Sequence, residues 1–134
     1  MKHTSWRYLR LLIFIAYILT FFLSSRQESH SAPALSQSDE QLAKQIILHN
    51  KCGNCHALQA AGLNFSGAIG PNLTHQGQRE RSASWLKTKL LNPSSFTDSE
   101  VVPGFEGKQK LMPKLDQISD RELNSLVAFL RSLH

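Results

Sequence analysis

The sequence predicts a small all-α domain, and three observations carry that prediction. Apolar residues recur at helical spacing around Leu42 and Ile46 and again from Leu123 to Leu133. Ala83 to Leu91 reads as a shorter helix, stopped by Asn92-Pro93. No long alternating segment argues for a sheet.

Each element has its own signal. Ser38 with Gln41 forms a capping-box pattern that opens a helix through about Asn50. Leu42, Ile46 and His49 share one face of it, and Ile47 and Leu48 widen the stripe. Ser119 and Glu122 repeat the cap pattern ahead of Leu123, Leu126, Val127, Leu130 and Leu133. Residues 38–134 are thus expected to form the folded domain. A unit of that size buries a modest core, which a large planar group would extend.

The chain has 134 residues and a formal net charge of +5, unevenly spread. Lys2, Arg7, Arg10 and Arg26 precede Asp39 and face only Glu28; from Asp39 onward the balance is +2. No basic stripe or finger motif accompanies the charge, so nucleic acid is not an expected partner. Leu11 to Leu23 is apolar apart from Thr20 and the Tyr17 hydroxyl, and extension from Trp6 to Ser25 gives enough length to cross a bilayer as a helix. Basic residues before the run favour retention of that end in the cytoplasm. The expectation is a single-pass membrane anchor at 1–25, a flexible tether at 26–37, and the domain on the periplasmic or extracytoplasmic side. A cleaved signal peptide, with Ala32-Pro33-Ala34 as a small-x-small site, is the rival reading.

The most specific motif is Cys52-Gly53-Asn54-Cys55-His56, which contains the chain's only two cysteines. A Cys-x-x-Cys-His run is the pattern of covalent haem c attachment: two thioethers to the porphyrin and one imidazole to its iron. A redox dithiol would leave His56 unused and expects a βαβ context. Structural zinc needs two further ligands, which His49 and His75 do not supply as a tight pair. For the second axial ligand, Met112 is the only methionine outside the amino-terminal segment, and Pro113 would stiffen the backbone beside it. A thioether opposite imidazole raises the reduction potential and closes the iron. His75 is the alternative ligand, and core filling is the ordinary role of a methionine. An imidazole ligand donates its other nitrogen proton to an acceptor; the Pro71 carbonyl is a candidate, with simple turn formation as the other reading. Trp85 and Arg81 are candidates for a propionate environment, and Phe105, Leu111 and Leu115 for excluding water from one haem face.

Cys52 to His56, Gly70-Pro71-Asn72-Leu73 and Met112-Pro113 stand in the order of the landmarks of class I cytochromes c, and residues 38–134 resemble that family. The resemblance implies a class I cytochrome c-like haem domain with His56 and Met112 as axial metal ligands. It further implies Cys52 and Cys55 as thioether sites and Pro71 as the carbonyl partner of His56. It also implies one-electron shuttling without an organic substrate, so no catalytic residues. Ile69 to His75, Arg79 or Arg81, and Trp85 are similar to the cytochrome domain of caa3-type oxidase subunit II, although no cupredoxin domain precedes them. One anchor plus one haem is also similar to the membrane-anchored cytochrome subunit of nitric oxide reductase. The expected function is therefore a membrane-anchored monohaem cytochrome c that delivers electrons to or within a respiratory terminal oxidase. The alternatives are the nitric oxide reductase subunit and a cleaved soluble periplasmic cytochrome c. The expected donor is a redox protein or quinol-oxidising complex. A haem enzyme or sensor with open iron, and a subunit whose haem is structural, are the rival classes. Residues 94–111 read as a docking loop or a solvated connector.

Overall fold

The computed structural model describes residues 35–134. Helix α1 spans Gln37–His49, and its N-cap is Ser36 rather than Ser38: the Ser36 hydroxyl accepts from Asp39 N. Ser36 is extended while Asp39 and Glu40 lie in the first turn, where carboxylates favour the helix dipole. Helix α2 covers Ala83–Leu91, with Ser82 accepting from Trp85 N. Helix α3 runs Asp120–Ser132 behind a complete capping box, in which Ser119 and Glu122 satisfy each other's backbone N–H groups.

The amphipathic faces meet as their spacing predicts. Ala43, Ile46 and Ile47 of α1 pack on Leu123, Leu126, Val127 and Leu130 of α3, with Phe129 only 1% exposed within the same core. Burying that face, at about 25 cal/mol per Å² of apolar surface, is the main force holding the helices together. A polar tie marks one end of the pair: Ser125 Oγ donates to Asp39 Oδ1 at 2.8 Å.

The all-α expectation is corrected by a two-stranded antiparallel sheet. Strand β1, His56–Ala60, pairs with β2, Leu63–Ala68, placing Leu58 opposite Phe65 and Ala60 opposite Leu63. The fold is a mixed one, mostly helical with one hairpin. Ala61 and Gly62 both have positive φ, 53° and 80°, the twist that a two-residue hairpin turn needs. Only Leu58 and Leu63 are fully buried in the hairpin, while Gln59, Asn64 and Ser66 face out. That alternation is too short to be read above the helical signals on either side.

The expected transmembrane element is corrected as well. Among the described residues no helix is long and apolar enough to cross a membrane. The anchor and tether expected at 1–25 and 26–37 fall almost wholly on residues outside the described ones. The expected anchored function and single-pass localisation are therefore not carried by any helix among the described residues.

Most of residues 94–111 are exposed, as a solvated connector would be, yet the segment is anchored and folded at particular points. Phe96 and Val101 are buried, and short 3-10 turns form at Asp98–Glu100 and Gln109–Leu111. Asp98 Oδ1 accepts from Gly107 N and Gln109 Nε2, each at 2.8 Å, which folds the segment back on itself.

Candidate functional site

Helix α1 stops at His49, and Lys51 turns the chain in a left-handed conformation with φ 52°. A 3-10 turn, Cys52–Asn54, follows and is closed by Cys55 N donating to Cys52 O at 3.2 Å. Side chains three apart in such a turn eclipse one another. Cys52 and Cys55 therefore present to one side, and both line the same cleft.

His56 is the first residue of β1, and its Nδ1 lies 2.8 Å from the Pro71 carbonyl oxygen. A carbonyl only accepts, so Nδ1 carries the proton and Nε2 keeps its lone pair. Burial pushes the imidazole below the ordinary histidine range and Arg79's charge adds to that, against the opposing Pro71 hydrogen bond. The ring is thus held neutral, the form that can bind a metal. Burial also pushes the Cys52 thiol up, the opposite of what an attacking dithiol needs.

The acceptor is fixed by its own loop. Gly70 N donates to Cys55 O and Leu73 N to Ala57 O, both at 2.8 Å, so residues 70–73 lie along the haem-motif backbone. Thr74 Oγ1 takes the Gln59 N–H at 2.9 Å, and Arg79 Nη2 reaches Asn72 O at 2.9 Å. Gly70 has no side chain because the His56 ring occupies that space: a Cβ there would collide with Cε1 and lie 2.7 Å from Nδ1.

Met112 follows the Gln109–Leu111 turn in extended backbone and is half-buried against the core. Leu115 N donating to Leu90 O at 2.9 Å ties the segment after it to α2. Cys52, Cys55, His56, Pro71 and Met112 all line one cleft, with about 1170 Å³ of atom-free space including its open mouth. Phe105, Leu111 and Leu115 line it too, and Leu111 is 64% exposed there. Trp85 lines the cleft with its ring edge-on to Phe96 at 5.1 Å and the Arg81 guanidinium 4.7 Å from its centroid. His75 and His49 are exposed and do not line the cleft.

Sequence reasoning missed Gln76, Lys89, Val101 and Gln109, all of which line the cleft. Lys89 holds its ammonium 4.7 Å from the Phe96 ring centroid. Only the long approach to Met112 could have hinted at Val101 and Gln109. Gln76 and Lys89 give no signal in a single sequence.

A predominantly hydrocarbon cleft with two thiols, a neutral imidazole and a thioether on its walls fits haem c, and it defines the domain as a c-type electron-transfer domain. The cytochrome c family model matches residues 40–134, and the chain belongs to that family, as a class I domain. Cytochrome c oxidase subunit 2 of Alkalihalophilus pseudofirmus is 30% identical over 97 residues, covering 67% of this chain and 24% of that protein. The chain thus spans about a quarter of that relative's length, 24%. No solved structure matches.

The family carries one covalently attached haem c and works as an electron carrier rather than an enzyme, in respiratory electron transfer. When bound, the haem supplies the one-electron exchange, and the protein supplies ligands, burial and orientation.

Proposed function

We propose that the protein is a one-electron carrier whose Cys52 and Cys55 form the thioethers and whose His56 and Met112 are the axial ligands, with Pro71 orienting His56. The observation that carries this reading is the meeting of all five residues on one cleft, with Nδ1 committed to Pro71 and Nε2 left bare. A thioether as second ligand closes the iron to outside molecules, which suits electron transfer and disfavours an open-iron enzyme or sensor. Residues 38–134 form the working domain in this reading.

The acceptor we assign is a respiratory terminal oxidase, supported by the similarity to an oxidase subunit 2. The test is reduction of the haem-loaded protein followed by mixing with purified cytochrome c oxidase and, separately, with nitric oxide reductase. Fast reoxidation by the oxidase is expected. Reoxidation by the reductase alone would reassign the partner, and reoxidation by neither would remove the terminal-oxidase assignment.

A further inference from the structure

Met112 is delivered to the cleft by residues 107–111, a stretch with few attachments of its own. Gly107 turns the chain in a left-handed conformation, φ 73°, and the 3-10 turn Gln109–Leu111 ends on Met112. Among the described residues, three hydrogen bonds tie 107–111 to anything before Phe105. Gly107 N and Gln109 Nε2 both donate to Asp98 Oδ1 at 2.8 Å, and Gln109 Nε2 also reaches Phe96 O at 3.3 Å. One carboxylate oxygen thus carries two of the three.

Asp98 is itself firmly placed. Phe96 and Val101 are buried on either side of it, and Thr97 and Glu100 close a capping box around it. Phe96 meets Trp85 of α2 edge-on at 5.1 Å, with the Lys89 ammonium 4.7 Å from its centroid. Beyond Met112, Leu115 N donates to Leu90 O of α2 at 2.9 Å. Met112 therefore hangs between two ties to α2, and the upstream tie runs through Asp98.

The Gln109 amide shows which contact decides its orientation. Its Oε1 is buried and has no partner among the described residues. A buried acceptor without a donor is destabilising. Turning the amide over would set Oε1 against two other acceptors, Asp98 Oδ1 and Phe96 O, and would forfeit a charge-assisted bond. The orphaned oxygen is tolerated because the contact with Asp98 outweighs it.

Resting on the ligation by Met112 proposed above, we propose that Asp98 is a positioning residue for Met112. Its carboxylate holds Gly107 and Gln109, fixes the turn that follows, and so keeps the thioether on the iron. Departure of Met112 requires 107–111 to swing away, and those bonds to break first.

The test uses the haem-loaded full chain in the ferric state. It follows the long-wavelength absorption band of an iron–thioether bond and titrates imidazole. Asp98→Ala should weaken that band and take up imidazole at concentrations that leave the wild type unliganded. Asp98→Asn keeps an acceptor oxygen in place and should bind imidazole more weakly than Asp98→Ala. Gln109→Leu keeps the Gly107 bond and should open the iron by less than Asp98→Ala; it carries the test where Asp98→Ala does not fold. Phe129→Ala, destabilised in the α1–α3 core, should keep the band and bind no imidazole. In the wild type the Gly107 amide should exchange slowly although the residue is exposed, a measurement that needs no variant.

Wild-type imidazole binding in folded Asp98→Ala or Gln109→Leu would overturn the positioning role alone. So would equal binding in the two Asp98 variants, binding by Phe129→Ala to match Asp98→Ala, or fast Gly107 exchange. A wild type without the thioether band would overturn Met112 ligation and this role with it.

Discussion

His56 Nδ1 and the Pro71 carbonyl oxygen lie 2.8 Å apart, fifteen residues distant in sequence. One bond fixes the imidazole's tautomer, its rotation and the direction of its free nitrogen. It exists because Gly70 and Leu73 are hydrogen-bonded to the backbone on either side of His56.

Gly70→Ala should break this relationship sterically, because the new Cβ would overlap the His56 ring. Overpacking of this kind costs about 1–3 kcal/mol. We expect a lower urea midpoint together with a changed ligand-field spectrum of the haem-loaded protein. A variant with wild-type spectrum and stability would show that the ring has room it does not have here.

Met112→Ala should keep the haem attached, because the thioether sites are remote in sequence, yet leave a position on the iron open. Carbon monoxide or imidazole should then bind where the wild type binds neither. Titration of the two proteins side by side checks this, and equal binding would remove Met112 from the ligand set.

Asp39 should make the domain sensitive to acid. The Ser36 hydroxyl, followed by the Ser125 hydroxyl, holds its carboxyl below the usual carboxylate range. A depressed folded-state pKa contributes stability above the unfolded-state value and loses it as pH falls through the folded value. Asp39→Asn should therefore lower the urea midpoint near neutral pH and flatten its decline below about pH 4. Equal declines for both proteins would place the acid sensitivity elsewhere, with Glu122 next in line because Ser119 depresses it in the same way.

Phe129→Ala tests the helix pair directly. The ring is 1% exposed, and emptying such a site costs about 3–5 kcal/mol. Urea unfolding followed by circular dichroism should report a loss of that size, whereas a loss below about 1 kcal/mol would mean the site collapses without a cavity.

The parts that the sequence made legible share a reason: their signals are local. Ala83–Leu91 and the Ser119–Glu122 cap were readable because a stop at Asn92-Pro93 and a four-residue box each lie within one turn of the element they delimit. Cys52, Cys55 and His56 were readable because five consecutive residues carry the motif. The hairpin was not, since Leu58 and Leu63 alternate over too few residues and an Ala61-Gly62 turn is a weaker sign than Asn-Gly. Ser36 displaced Ser38 as the cap because each serine has a residue three positions on, Asp39 or Gln41, whose N–H a cap hydroxyl could take, and only the fold decides that the helix begins at Gln37. Gln76 and Lys89 escaped notice for another reason. Their value comes from the cleft wall they join, which residues far away in sequence complete.

The central claim is that His56 and Met112 close a covalently bound haem between them, and proton NMR of the reduced, haem-loaded protein tests it most directly. A methionine methyl held over the porphyrin face is shifted far upfield by the ring current. The expected result is one such three-proton resonance, present in the wild type and absent in Met112→Ala. A reduced wild-type spectrum without it, or the same resonance persisting in Met112→Ala, would contradict the claim.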